Sequence, residues 1–225
     1  MSSSWGRQVR AIVGKEFRTE LRSKHGLFTA GLFGFLTVVA MVFASYAEKP
    51  SPTVAAGMLC VALVFSAVVT LPRTMIVEDE QGTFALLQLL ADPAAAYFGK
   101  ALTNAVQMLA GSFVLGGVFV AMADIPVERP VVFVVGLGFL SLALAGGTSF
   151  CAALVIGASN RWVLAGGLAL PLLVPVVFLG VVALRSGLGA GVEGAGSESL
   201  LALGGYALVT LTAGPGIIAL VWKND

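Results

Sequence analysis

Six apolar runs that contain no Lys, Arg, Asp or Glu divide this chain: 27–46, 54–71, 101–123, 131–156, 162–184 and 200–222. Each is close to the 20 or so residues that a helix needs to cross about 30 Å of hydrocarbon. Lipid offers no hydrogen bonds to a backbone, so each run must satisfy its own donors and acceptors as a helix. The composition agrees: 58% of the residues are hydrophobic and 11% charged, against about 25% charged in soluble domains. Mean hydropathy is +0.96. So few charges cannot cover a water-facing surface, and a net charge of +1 gives no reason to expect nucleic acid as a partner. The sequence therefore predicts an all-α integral membrane protein, a single six-span transmembrane domain over 1–225.

Orientation follows from the cations flanking the spans. Ten lie on one side: Arg7, Arg10, Lys15, Arg18, Arg22, Lys24, Arg73, Lys100, Arg161 and Lys223. Three lie on the other: Lys49, Arg129 and Arg185. This predicts a multi-pass protein with both termini in the cytoplasm. The 26-residue charged leader and the 20-residue first run exceed signal-peptide dimensions, whose apolar region is about 7–15 residues, and read as an uncleaved anchor.

Two cytoplasmic segments carry more pattern than a simple loop. In 1–26, Trp5, Val9, Ile12, Val13, Phe17 and Leu21 recur at three- and four-residue steps among basic residues. That spacing predicts an amphipathic helix in the membrane interface, its cations near anionic headgroups. The segment 73–100 opens with Glu78, Asp79 and Glu80, continues through Gly82 and Thr83 to Phe84, Leu86, Leu87, Leu89 and Leu90, and reaches Asp92 and Pro93. Thr83 is the expected N-cap. Pro93 is the expected stop, since proline lacks an N–H and restricts the residue before it. The result is a short leucine-faced helix that either rests on the membrane or docks a partner.

Within the spans, Pro171 and Pro175 predict a kinked fifth helix. Glycines at 111, 116, 117, 136, 138, 146, 147, 166 and 167 predict close helix packing. Polar residues are few: Ser66, Thr70, Asn104, Gln107, Ser141, Thr148 and Ser149. The Gly-rich stretch 186–199 reads as a flexible outer loop. Cys60 and Cys151 lie in apolar runs and read as small hydrophobes, not as a disulfide or metal site. His25 is the sole imidazole. A juxtamembrane interface residue is the simpler reading of it than a haem ligand. No G-x-x-x-x-G-K-[ST] occurs and one histidine cannot make H-E-x-x-H, so neither ATP hydrolysis nor zinc proteolysis is expected of this chain, and no catalytic or metal residue is assigned.

Three stretches resemble the CcmB family, haem exporter protein B of cytochrome c maturation, a permease subunit of an ABC transporter. They are Lys15 to Arg22, then Arg73 through Glu78–Thr83 to Pro93, Gly99-Lys100 and Asn104, and finally Asn160–Arg161 with Leu170-Pro171-Leu172-Leu173-Val174-Pro175-Val176. The resemblance implies a type 2 ABC exporter permease-like fold in the bacterial inner membrane. It also implies a CcmA-like cytoplasmic ATPase, a CcmC-like haem-handling protein and a small membrane subunit as partners. Haem is implied as the transported or presented ligand, with no cofactor resident on named residues. It makes 73–100 a coupling segment, with Glu78, Glu80, Gly82, Thr83, Leu87 and Pro93 against the ATPase and Pro171 and Pro175 as gating elements. The alternatives are a permease for a drug, lipid or polysaccharide, a membrane enzyme, or a scaffold without a transport role. The enzyme predicts polar catalytic clusters within spans, which the runs lack.

Overall fold

The computed structural model describes residues 4–23, 25–46, 48–76, 78, 82–156, 158, 160–192 and 194–224. Among them the regular elements are helices: α1 (Trp5–Ser23), α2 (His25–Ala44), α3 (Pro52–Thr74), α4 (Phe84–Leu90), α5 (Pro93–Ala123), α6 (Pro130–Leu154), α7 (Arg161–Gly187) and α8 (Ala195–Asn224). Five of these, α3 and α5 to α8, are long and apolar enough to cross a membrane. In α2 the apolar stretch, Phe28–Ala44, is shorter. Glu80 lies outside the described residues, as do the side chains of His25, Arg73 and Arg161.

Helix starts follow local chemistry. Prolines open α3, α5 and α6 at the first turn, where the missing N–H has no intrahelical partner to lose. Ser51 and Asp92 cap α3 and α5 by accepting from the amides of Val54 and Ala94. Pro93 therefore has a second role beyond the expected stop, as the opening residue of α5. The leucine helix α4 ends at Leu90, Asp92 takes the extended backbone expected before proline, and Pro93 begins a 31-residue helix. That helix starts eight residues before the apolar run it contains, because Pro93–Lys100 continues the same helix beyond that run. The Gly-rich stretch is partly helical: α7 runs to Gly187 and α8 starts at Ala195, and between them Gly189, Gly191 and Gly194 take positive φ.

Helix α6 is the hub. It packs against α3, α5, α7 and α8, and Leu137, Leu140, Ala143 and Leu144 are fully enclosed. Small residues permit these approaches. A Cβ on Gly146 would overlap the Thr210 hydroxyl, and one on Gly147 would sit 3.0 Å from both Leu173 and the Tyr206 hydroxyl. Gly117, Gly138, Gly166 and Gly167 face open space instead, so glycine marks close packing at some of the expected positions and not at others.

Polar groups in the bundle bind helices to one another. The Asn104 amide nitrogen lies 3.0–3.1 Å from the Ala145 carbonyl and the Thr148 and Ser149 hydroxyls, joining α5 to α6. Tyr97, wholly buried, donates to the Thr210 carbonyl at 2.9 Å. Tyr206 donates to the Leu172 carbonyl at 3.0 Å, between the two prolines of α7. That helix is continuous through Pro171 and Pro175, and both rings lie on its exposed side, while Leu173 and Val176 turn inward.

The packing yields a contrast that thermal melting of the detergent-purified chain can check. Gly146→Ala should destabilise by about 1–3 kcal/mol through overpacking against Thr210. Gly138→Ala, which meets nothing within 4 Å, should be neutral to within about 0.5 kcal/mol. Equal melting of the two would contradict the close α6–α8 contact.

Candidate functional site: a charged clamp behind the leucine helix

At one end of the bundle, α1 lies against the first turns of α5. Their approach is close: a Cβ on Gly99 would come 2.6 Å from Ile12 Cγ2. The Trp5 ring meets Phe98 edge-on at 5.6 Å between centroids. Gln8 Oε1 accepts the Asp92 backbone N–H at 3.0 Å. The amphipathic helix expected at the N-terminus is therefore present, and Ile12 of its apolar stripe is buried against α5.

Four charges meet at this junction. Lys100, on α5, is 3% exposed. Its Nζ donates to Glu16 Oε1 at 2.8 Å and lies 2.9 Å from Glu78 Oε2. Lys15 donates to the other oxygen of Glu78. Two lysines thus balance two carboxylates, which is what makes burial of Lys100 tolerable. Burial alone would raise the Glu78 carboxyl. The charge of Lys100, the hydrogen bonds from Lys15 and Lys100, and the charge of Lys15 outweigh it and hold the group below its ordinary value.

Gly82 and Thr83 lead into α4. Gly82 has φ +67°, a left-handed conformation that costs other residues about 1–2 kcal/mol. The Thr83 N–H returns to the Glu78 carbonyl at 3.0 Å. Thr83 occupies the N-cap position of α4 but makes no side-chain cap. Its hydroxyl donates back to the Glu78 carbonyl at 3.2 Å, so the turn claims the group that the helix was expected to use. Beyond it, Leu86, Leu89 and Leu90 are 56%, 83% and 71% exposed, whereas Leu87 is half-buried.

The structure therefore divides the sequence-predicted residues. Gly82 and Thr83 are exposed beside α4, and Pro93 follows it. Glu78 points inward to the two lysines, and the outward-facing apolar groups are Leu86, Leu89 and Leu90. Pro171 and Pro175 belong to α7, apart from this junction. Sequence reasoning missed Gln8, Lys15, Glu16 and Lys100 as site residues. A signal was available for Glu16, a charge four residues after Ile12 on the same helical stripe, and for Lys100, a cation abutting an apolar run.

The CcmB protein family model matches residues 7–222. Among characterised proteins, the chain is similar to heme exporter protein B of Rhodobacter capsulatus. The two are 28% identical over 182 residues, 80% of this chain and 83% of that protein.

The clamp has a defined pH signature. A carboxyl whose folded pKa is depressed contributes stability that is complete above its unfolded value, ~4.3, and is lost as pH falls through the folded one. Hydrogen exchange of α1 amides should be unaffected by the Glu78 carboxyl between pH 8 and 5 after correction for intrinsic rates, and protection should fall only below about pH 4. Glu78→Gln should loosen α1 at neutral pH. Leaving a buried charge alone costs about 3–5 kcal/mol; Lys100 keeps Glu16, so the loss should sit at or below the lower end. Unchanged protection in Glu78→Gln would show that the clamp does not hold α1. With the long helical spans and this match across nearly the whole sequence, the chain is a multi-pass membrane protein and belongs to the CcmB family.

Proposed function

We propose that this chain is the permease subunit of a haem-exporter ABC complex serving cytochrome c maturation, driven by a cytoplasmic CcmA-like ATPase that docks on the 73–100 segment. The observation that carries this reading is an exposed three-leucine face on a seven-residue helix, anchored through Glu78 to a buried lysine of a long membrane helix. A helix of that length with three exposed leucines does not hold its place alone, and a contiguous exposed apolar patch is the mark of an interaction surface. Exposed Gly82 and Thr83 and half-buried Leu87 flank the docking face, and Glu80 belongs with them by position in the sequence.

Force applied to α4 passes through the Glu78–Lys100 pair to α5. Because α5 is one unbroken helix from Pro93 to Ala123, displacement of its cytoplasmic end tilts the whole element within the bundle, a rigid-body mode of switching. Energy from ATP hydrolysis in the partner is thereby coupled to haem export or delivery, or to release of a haem chaperone.

In this reading α2 is the sixth span, both termini are cytoplasmic, and the membrane is the bacterial inner membrane, as the ten-to-three distribution of cations supports. A CcmC-like haem-handling protein and a small membrane subunit complete the assembly. Pro171 and Pro175 act as gating elements. The carbonyls they free lie toward the exposed side of α7, where a neighbouring subunit can satisfy them and lipid cannot.

Co-expression with the cognate ATPase subunit and purification through a tag on this chain tests the reading. Leu89→Asp should leave melting unchanged, because Leu89 is exposed, yet weaken ATPase association by at least about 2 kcal/mol, roughly 30-fold. Leu87→Asp, being half-buried, should also lower stability. If the wild type recovers no ATPase, or Leu89→Asp recovers it undiminished, the docking assignment fails.

A further inference from the structure

Between α2, α3 and α5 the bundle encloses a lateral cavity of about 390 Å³, walled by Ala30, Phe35, Ser66, Gln107, Met108 and Ser112 among others. That size falls in the range of small-ligand pockets, about 300–1,000 Å³. Through Gly31 and Phe35 it joins a shallower groove of about 370 Å³ along Phe28 and Leu32 on the outer face of α2. Gly31 and Gly111 both border the cavity, and a Cβ on either would meet nothing within 4 Å.

One polar group in the wall is unlike its counterparts. Buried hydroxyls elsewhere in the bundle donate to the carbonyl one turn back: Thr103 to Gly99, Ser141 to Leu137, Thr148 to Leu144 and Ser199 to Ala195. Ser66 reaches across to the Ala30 carbonyl. Ser112 is 1% exposed, lines the cavity, and its Oγ has no hydrogen-bond partner among the described residues. A buried hydroxyl without a partner costs on the order of 1–3 kcal/mol, and the usual way to satisfy it, back-bonding within the helix, is not taken here.

Depth narrows what can satisfy it. Ser112 is the central residue of the apolar run 101–123, about 16 Å of helix from either end. Ester and phosphate oxygens of glycerolipids lie in the interfacial layers outside the hydrocarbon core, and a plain acyl chain offers no acceptor. We propose that the cavity binds a membrane-soluble carbonyl compound of the isoprenoid-quinone type. A ring carbonyl accepts from Ser112, the Gln107 amide adds a second donor on the same wall, and the hydrocarbon tail leaves past Gly31 and Phe35 along the α2 groove. The role assigned to the cavity is binding alone, and it is separate from the cytoplasmic clamp.

The test uses the full chain in lipid nanodiscs with an azido-substituted short-tail ubiquinone analogue as photoprobe. Labelling should saturate, compete with unlabelled decylubiquinone, and map to peptides covering 30–35 and 107–118. Ser112→Ala should weaken labelling roughly threefold to tenfold, the worth of one hydrogen bond. Gly111→Leu and Gly31→Leu fill the cavity from different helices and should abolish saturable labelling at unchanged melting temperature. If one of them fails to fold, the other decides. Labelling that never saturates overturns the proposal. So does saturable labelling that a carbonyl-free alkane displaces equally well and that Ser112→Ala leaves unchanged, which would make the cavity an acyl-chain groove.

Discussion

Hydrocarbon cannot hydrogen-bond a peptide group, and the organisation of this protein follows from that constraint. It forces the apolar runs into helices and leaves burial of apolar area between them a weak driving force, because lipid tails are as apolar as leucine. Association must come from close packing and from polar contacts. Both are concentrated on α6, where Gly146 and Gly147 admit Thr210, Leu173 and Tyr206, and where Thr148 and Ser149 receive Asn104.

The same constraint explains where charge is allowed. Lys100 sits at the boundary between the apolar run and the extension of α5 that precedes it, and it is buried because carboxylates from two other segments, Glu16 on α1 and Glu78 ahead of α4, meet it there. A buried pair of this kind is a poor source of net stability, yet removing one partner is costly. Its use is geometric. It ties the N-terminal helix, the residue ahead of α4 and the root of a 31-residue helix at one point.

Much of this was legible in the sequence. Apolar runs located the long helices to within a few residues at most ends, and the spacing of Trp5, Val9 and Ile12 gave α1. The pattern from Phe84 to Leu90 gave α4 and its start after Thr83. Two readings were incomplete for a common reason. Pro93 and Thr83 were assigned by what each does to its nearest helix, but Pro93 also opens the helix that follows, and the Thr83 hydroxyl bonds back to the Glu78 carbonyl. Local propensity names the residue type at a boundary without saying which side of the boundary it serves.

The sequence by itself determined that the chain is helical, that most of it lies in lipid, and which family it belongs to. Each of these follows from composition, periodicity or residue order along one dimension. Tertiary structure alone decided that Glu16, Glu78 and Lys100, separated by as many as 84 residues, form one cluster, that Leu89 faces outward and Leu87 does not, and that Ser112 borders a cavity while Ser141 bonds its own helix. These are questions of which helix faces meet. Helix rotation and depth are set by the packing of side chains from several elements at once, and no single segment encodes them.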